Sequence, residues 1–558
     1  MEVERLLDVE SGRPVVRRPW MPRLAMGMAT LATMAALALV LYVGAHGGLV
    51  PGNMQQLQRK WWTPWEQAAD VVLGIDMGTT HSSMAVYKDQ DEKVEIIENN
   101  GKPLTPSYVS FAGKDPCTGE AAKDKVMESP TQSLYNVKRL MGRDFNERAV
   151  QDMIKVVPYK IVDKSGKPVI SVNDKDRTPE DVSSLLLSDM RAAAGRHLNQ
   201  EVKQAVITVP GYSNDAQRRS IMAAAKSAGF TDVQLVNKGA ADAVDYAFNF
   251  ARGDEKLILV YDLGGGTFDA TLVDWSGDGL LEVLATAGDT ALGGEDFTDL
   301  TTKHLLAKFK AKHHKDMGPH STQALRIKVA DAIQALSSRH EALIQMDVDG
   351  VHFKETLTRD KFEDLNMHSF KGTLDPIKKV LKDSGRSASE VDEIVLVGSS
   401  SHIPKVKQLV KDIFHKEPKM ASPTGARAKG AALVGALHRS DLLVLERMPL
   451  TVGFEDVGGT MKRLIPHNSV VPTKKAQTFK TYAPSQPTIN IRVFEGERAR
   501  PIDNHCLAEF DVTNIPPGPA GKQIEVDFEV DKNGILTAKA AHDAKELVVM
   551  RRGCKTRR

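Results

Sequence analysis

The sequence predicts an α/β architecture followed by a small β domain and preceded by an N-terminal transmembrane helix. Three observations predict it. Between residues 70 and 440, apolar strands alternate with segments of helical spacing, the pattern of an α/β domain. After about residue 447 helical periodicity disappears and period-two alternation takes over. Before both, Leu24 to Gln58 contains no Lys, Arg, Asp or Glu, and Leu24 to Val43 has the length of about 20 residues that crosses a bilayer core.

In chain order, residues 1–23 form a basic tail. Arg13, Arg17, Arg18 and Arg23 precede the apolar segment, so the positive-inside rule keeps this end cytoplasmic and sends the bulk of the chain to the lumen of the secretory pathway or endoplasmic reticulum. Glu2, Glu4, Asp8 and Glu10 argue against an organellar transit peptide. Residues 24–44 are the signal anchor. Val43-Gly44-Ala45 also suits a signal peptidase, which would leave a soluble lumenal protein. Residues 45–69 are a polar tether whose Trp61, Trp62 and Trp65 suit a membrane interface or packing on the next domain.

Within 70–440, "VDEIVLVGSSSHIPKVKQLVKDIFHK" shows the α/β plan: a strand ends at Val397, turns at Gly398, and Val406, Leu409, Val410, Ile413 and Phe414 follow at helical spacing. "DLLVLE", Asp441 to Glu446, is a short apolar run between acidic ends where the pattern changes. In 447–547, "TINIRVF" alternates Ile489, Ile491 and Val493, and "IEVDFEV" alternates Ile524, Val526, Phe528 and Val530 before an Asn533-Gly534 turn. Residues 548–558 form a basic tail.

Lys plus Arg at 74 against Asp plus Glu at 72 leaves a net charge of +2, so no nucleic-acid partner is implied. Cys117, Cys506 and Cys554 are far apart and odd in number, which argues against a disulfide scaffold or a C-x-x-C metal pair and predicts free thiols. "KHHKDMGPH" reads as a solvated loop rather than a metal site.

Two stretches share one plan. "LGIDMGTTHSSMAVY" and "KLILVYDLGGGTFDATLVDW" each run an apolar strand into an aspartate, break on glycine and threonine, and resume as a strand. Glycines there leave backbone N–H groups open, the nest that holds phosphate oxygens. Gly78, Thr79 and Thr80 in one turn and Gly264, Gly265, Gly266 and Thr267 in the other suggest two similar lobes with a polyphosphate between them. Asp76 and Asp262 stand where a hydrated Mg²⁺ could be held. Purely structural turns are the alternative.

With "ATAGDTALGGEDF", "ITVPGYSNDAQRR", "GGTMKRLIPHNSVVPTKKAQTFKTY" and "VFEGERARPIDN", these motifs closely resemble the heat shock protein 70 chaperones over roughly residues 70 to 545. The resemblance implies an actin-like domain binding ATP or ADP with Mg²⁺, an interdomain linker at 441–446, and a β-sandwich that grips unfolded or extended apolar peptides. It makes Asp76 and Asp262 the aspartates holding the metal through water, with Asp269 beside them. Thr79, Thr80 and Thr267 become phosphate hydroxyls and Lys138 the catalytic lysine. Gly78, Gly264 to Gly266, Gly293, Gly294, Ser337, Gly398, Ser399, Ser400 and His402 fall at its nucleotide contacts. Pro210 and Arg218 match the pair that relays nucleotide state to the linker, although as bare residues they are a strand-ending proline and a helix-surface arginine. Phe454, Val457, Tyr482, Ile489, Ile491 and Ile515 match its peptide groove, with sandwich core as the plain alternative.

The departures cluster at the nucleotide site. The family's relay glutamate and following proline are Lys238 and Gly239 here; on the adenine side Ala330, Ile333 and Gln334 replace charged residues, and Ser399 and His402 replace a glycine and a stacking arginine. The phosphate cradle is kept while the base clamp is thinned. The family's helical lid has no counterpart after the last strand. Two functions follow as expectations: an ATP-hydrolysing, membrane-anchored chaperone, or a degenerate relative with weak or no ATPase that binds peptides or regulates another chaperone of the family. An actin-like sugar kinase shares the turns but leaves the β domain unexplained.

Overall fold

The computed structural model describes residues 71–554 apart from 89–91, 349, 422–424, 438–441 and 543–544. The expected tail, anchor and tether before residue 70, the first residue of the expected linker, and residues 555–558 lie outside the described residues. Among the described residues no helix is long and apolar enough to cross a membrane.

The first lobe starts with β1 (Val72–Asp76), β2 (His81–Lys88) and β3 (Lys93–Ile97), antiparallel neighbours in sequence order. β4 (Gln204–Val209) and β5 (Asp232–Asn237) add in parallel on the other side, giving the order β5-β4-β1-β2-β3. Parallel neighbours need a crossover, and α1 (Asp215–Ser227) supplies it. Its start is fixed by a capping box in which the Asn214 side chain accepts from the Gln217 amide at 2.8 Å and Gln217 accepts from the Asn214 amide at 3.1 Å. α2 (Lys238–Phe250) begins directly where β5 ends.

The second lobe repeats the plan. β6 (Lys256–Leu263), β7 (Phe268–Trp275) and β8 (Leu280–Asp289) are antiparallel neighbours, α3 (Gly294–His313) and α4 (Pro319–Leu336) follow, and β9 (Glu393–Val397) lies parallel to β6. β6 is buried along almost its whole length, as expected of a strand covered on both faces. α5 (Ala426–Leu437) then crosses back onto β1. A Cβ at Gly74 would lie 2.3 Å from the Ala428 carbonyl, so only glycine lets that helix come so close.

The apolar run expected as a linker is largely a strand. β10 (Leu443–Arg447) pairs in parallel with β8, Leu280 opposite Leu443 and Glu282 opposite Leu445. The β domain follows with β11 (Val452–Glu455), β12 (Met461–Ile465), β13 (Thr473–Lys480), β14 (Ile489–Glu495), β15 (His505–Thr513), β16 (Gln523–Val530), β17 (Leu536–His542) and β18 (Lys545–Arg552). Their order is β12-β11-β14-β15-β18-β17-β16-β13. The sheet folds on itself: Phe479 of the edge strand β13 packs its ring 5.1 Å from Phe454 near the opposite edge, closing a core that includes Val493, Phe510, Ile524 and Phe528. The expectation of free thiols fails for two cysteines. β18 lies beside β15 with Arg552 opposite Glu509, which brings Cys554 to Cys506 and joins them in a disulfide, leaving Cys117 free. Their 48-residue separation hid a neighbourhood that only strand pairing creates.

The β domain is docked on the first lobe. β5 is an edge strand, and its open amides are taken by the neighbouring domain and linker: Leu235 N–H donates to the Asn533 side chain at 2.8 Å and Asn237 N–H to Glu446 at 2.7 Å. Asp215 at the start of α1 accepts from the Leu536 amide at 2.9 Å and from Arg551 at 2.6 Å. Close by, the buried Glu495 accepts from the Asp215 amide at 3.4 Å. Burial, and after it the Asp215 charge, push the Glu495 carboxyl up to about 8 from an ordinary 4.5. The docked state therefore keeps a proton that the undocked state releases. This contribution to docking is fully present below about 4.5, declines as pH rises and is gone above about 8, at up to about 1.4 kcal/mol per pH unit. Interdomain energy transfer between dyes on the two domains is expected to fall from pH 6 to 8.5 in the native chain and to stay level in Glu495→Gln; equal slopes would show that Glu495 does not govern docking.

Candidate functional site

The two glycine turns meet between the lobes. A Cβ built at Gly265 would lie 2.5 Å from the Thr80 methyl, and one at Gly266 would lie 2.7 Å from the Thr79 side chain. Side chains at 265 and 266 would push the turns apart. The second turn closes through Gly264 N–H to the Thr267 carbonyl at 3.0 Å. Its carbonyls are engaged from outside: the first amides of α3, Gly294 and Glu295, donate to Gly264 and Gly265 at 2.9 and 2.7 Å, and the Ser400 hydroxyl donates to Gly264 at 3.1 Å. Gly293 has no room for a side chain, since its Cβ would lie 2.6 Å from the Gly266 nitrogen. Among the described residues no backbone carbonyl accepts from the Gly265 or Gly266 amides, the arrangement of an anion nest.

Thr79, Thr267, Lys138 and Pro210 line one pocket between the lobes, together with Arg139 and Arg143. Lys138 sits on a short turn, Val137–Leu140, and its ammonium donates to the Met77 carbonyl at the first glycine turn, close to Gly78. Enclosure, and then the nearby Lys238 charge, push this ammonium down to about 7 even though Asp76 opposes the shift. Arg139 ties the lobes together, donating to Asp296 of α3 at 3.1 Å and to the Gly266 carbonyl at 3.3 Å.

Lys238 does not point to solvent. It is 4% exposed and lies 3.6 Å from Asp76. As the first residue of α2 it places a cation at the positive end of a helix dipole, an arrangement the Asp76 carboxylate offsets. Gly239 beside it is hemmed in: a Cβ there would lie 2.2 Å from the Thr271 hydroxyl.

The residue that sequence reasoning missed is Arg427 of α5. Its Nε approaches both oxygens of Asp242 at 3.0 and 3.2 Å, one terminal nitrogen lies 2.6 Å from Asp262 Oδ1, and the other lies 3.5 Å from Asp76. One guanidinium thus joins the aspartates of both turns. Burial alone would raise the Asp76 carboxyl, but Lys238, Arg427 and Lys138 hold it well below the usual range, with Thr208 donating at 2.7 Å. Burial pushes the Asp242 carboxyl up against the pull of Arg427, and burial followed by the Asp262 charge pushes Asp269 up to about 7. Asp269 accepts from the Tyr212 amide at 3.2 Å. Small residues around Arg427 in "ARAKGAALVGAL" were the available signal, because a helix of alanine and glycine packs closely and any arginine on its buried face needs an acid.

These contacts decide whether the site suits Mg²⁺. The buried Asp262 oxygens have no well-directed hydrogen bond, which by itself favours a cation. Yet Mg²⁺ is held through one or two carboxylates plus waters and phosphates, and here fixed cations already stand on both turn aspartates. The donor set does not fit the ion.

Of the remaining expected residues, Gly398 abuts the second turn: a Cβ there would lie 2.3 Å from the Leu263 carbonyl and 2.9 Å from Asp262 Oδ1. Ser337 closes α4, with Ile333 half-buried against the second-lobe core and Gln334 exposed; Gly398 turns after β9 at φ +89°, followed by Ser399 and His402, both exposed. In the β domain Phe454, Ile489, Ile491 and Ile515 are packed in the sandwich core, whereas Val457 and Tyr482 are open to solvent, so the six do not share one open surface. Arg218 is a buried bridge rather than a surface arginine: it donates to Ser213 at 3.1 Å, to Asn533 of the β domain at 3.2 Å and to the Asn237 side chain at 2.9 Å.

A pair of repeated α/β lobes with facing glycine turns, continued by a strand into a docked β domain, defines a two-lobed cleft protein with an attached β module. The chain belongs to the Hsp70 family: the family model described as Hsp70 protein matches residues 72–550. Membership supports a chaperone-like function in general.

Proposed function

We propose that this chain binds nucleotide through its phosphates in the cleft, holds extended apolar peptide in the β domain, and hydrolyses nucleotide only weakly, serving as a peptide-binding or chaperone-regulating member of its family. The observation that carries this reading is the buried Lys238 against Asp76 beside an intact pair of glycine turns. An ammonium donates hydrogen bonds but accepts none, so it can hold a phosphate and cannot orient a water through a lone pair of its own. Thr79, Thr80, Thr267, Lys138 and the glycine amides bind and orient the phosphates, while Gln334 and His402 offer a base little beyond exposed side chains.

Calorimetry on the full chain in magnesium buffer tests the binding half. ATP and GTP are expected to bind within about tenfold of each other, since losing contacts worth roughly 1 to 3 kcal/mol removes that much selectivity. Strict adenine preference would mean that the base is still gripped. A working ATP-driven cycle is the second reading, favoured by the intact contacts of Arg218 and Glu446 on Asn237; single-turnover hydrolysis separates the two.

The proposal also places the protein on a membrane through residues 24–44, with residues 60–558 on the lumenal or extracellular side, supported by the arginines before an uncharged span. In sealed vesicles the β domain is expected to resist protease added outside. Its digestion would reverse the topology.

A further inference from the structure

Resting on the proposal that the cleft binds nucleotide phosphates, we infer that it binds them without a divalent metal ion, with Lys238 and Arg427 standing in for the cation and an uncomplexed polyphosphate as the preferred ligand. A metal ion bound with a nucleotide neutralises phosphate oxygens and anchors them to carboxylates. Here the carboxylates are already engaged. Asp76 has Lys238 at 3.6 Å and Arg427 at 3.5 Å, and Asp262 has Arg427 at 2.6 Å. A dication entering between them would meet two fixed positive charges and gain little from carboxylates that are already compensated.

The same cations serve a phosphate directly. Guanidinium and ammonium groups form short, charge-assisted hydrogen bonds to phosphate oxygens, and Lys138 adds a third such donor at the first glycine turn. They are held in place rather than tethered loosely. Arg427 is fixed by its Nε, which donates between the two Asp242 oxygens, and by the tight seating of α5, where a Cβ at Gly430 would lie 1.8 Å from the Ala241 carbonyl. Lys238 is fixed as the residue that joins β5 to α2. Arg427 also spans the aspartates of both lobes, so one side chain occupies the position between the turns that a shared metal ion would need. Cations placed in advance lower the cost of ordering the site on binding.

The test is calorimetry of the full chain with ATP and with inorganic triphosphate, each in EDTA and in magnesium. The affinity in EDTA is expected to equal or exceed that in magnesium, and Mn²⁺ offered with ATP is expected to show no protein-bound signal by electron paramagnetic resonance. Lys238→Gln is expected to weaken binding in EDTA by roughly fivefold or more, consistent with the loss of one charge-assisted contact. Tightening of the native chain by tenfold or more on adding magnesium, a protein-bound Mn²⁺ signal, or unchanged metal-free affinity in Lys238→Gln would each overturn the inference and leave nucleotide binding standing. No binding in either buffer would remove the nucleotide proposal itself, and the inference with it.

Discussion

Single-turnover hydrolysis of ATP is expected to rise by roughly a hundredfold in Lys238→Glu, the low end of the roughly 10²–10⁴-fold that a positioned acid or base contributes. The substitution changes the charge beside Asp76 by two units, each worth about 3 kcal/mol at ~5 Å and an effective dielectric of ~20. Glutamate at this position gains from the helix dipole that opposes the native lysine, and it supplies the lone pair that an ammonium lacks. Lys138 should respond as well, because Lys238 is the largest charge pressing its ammonium downward. The new carboxylate lies near Asp76, but Arg427 remains to compensate both. Hydrolysis that stays at the native rate while ATP still binds would remove Lys238 from any role in limiting turnover.

This residue also marks how far the sequence could be read. The strand, aspartate and glycine-threonine plan made the facing turns legible, because alternation and glycine spacing are local signals and the plan occurs twice. Lys238 was legible as a departure from a family pattern, and the structure shows that it is buried on Asp76. Arg427 was not legible: it lies far along the chain from both turns, and only the crossing of α5 over β1 brings it to Asp76 and Asp262. The same holds for Cys506 and Cys554, whose pairing depends on the neighbourhood of β15 and β18. The apolar run at 441–446 was legible as a change of pattern, but the pairing of Leu443–Arg447 with β8 depends on a sheet edge elsewhere in the chain.

Removing the Arg218 side chain is expected to loosen the β domain from the first lobe. Its guanidinium is buried, and Arg218→Ala would leave acceptors of Ser213, Asn237 and Asn533 without their donor. Of the three contacts only the one to the Asn533 carbonyl crosses to the β domain, and a hydrogen bond to a charged group is worth about 1.5 to 3 kcal/mol, so the docking equilibrium shifts by roughly ten- to a hundredfold. Asn237 makes this more than a local loss. It is held by Arg218 through its side chain and by Glu446 through its amide, and it immediately precedes Lys238. Arg218→Ala is therefore expected to give low interdomain energy transfer, rapid protease cleavage near residues 442–448, and peptide affinity that no longer changes when ATP is added. Retained docking with normal ATP response of peptide binding would show that Glu446 and Asp215 suffice.

The contact between Gly239 and Thr271 limits which substitutions the site can accept. A proline at 239 brings a Cβ and a ring to a place where a Cβ already falls 2.2 Å from the Thr271 hydroxyl, and that hydroxyl is paired with Thr286 at 3.2 Å. Proline at 239 therefore clashes while threonine occupies 271, and a smaller residue at 271 must accompany it. The lysine at 238 meets no such barrier. The two neighbouring positions are thus unequal: 238 can be exchanged alone, whereas 239 is constrained by a partner 32 positions away on β7.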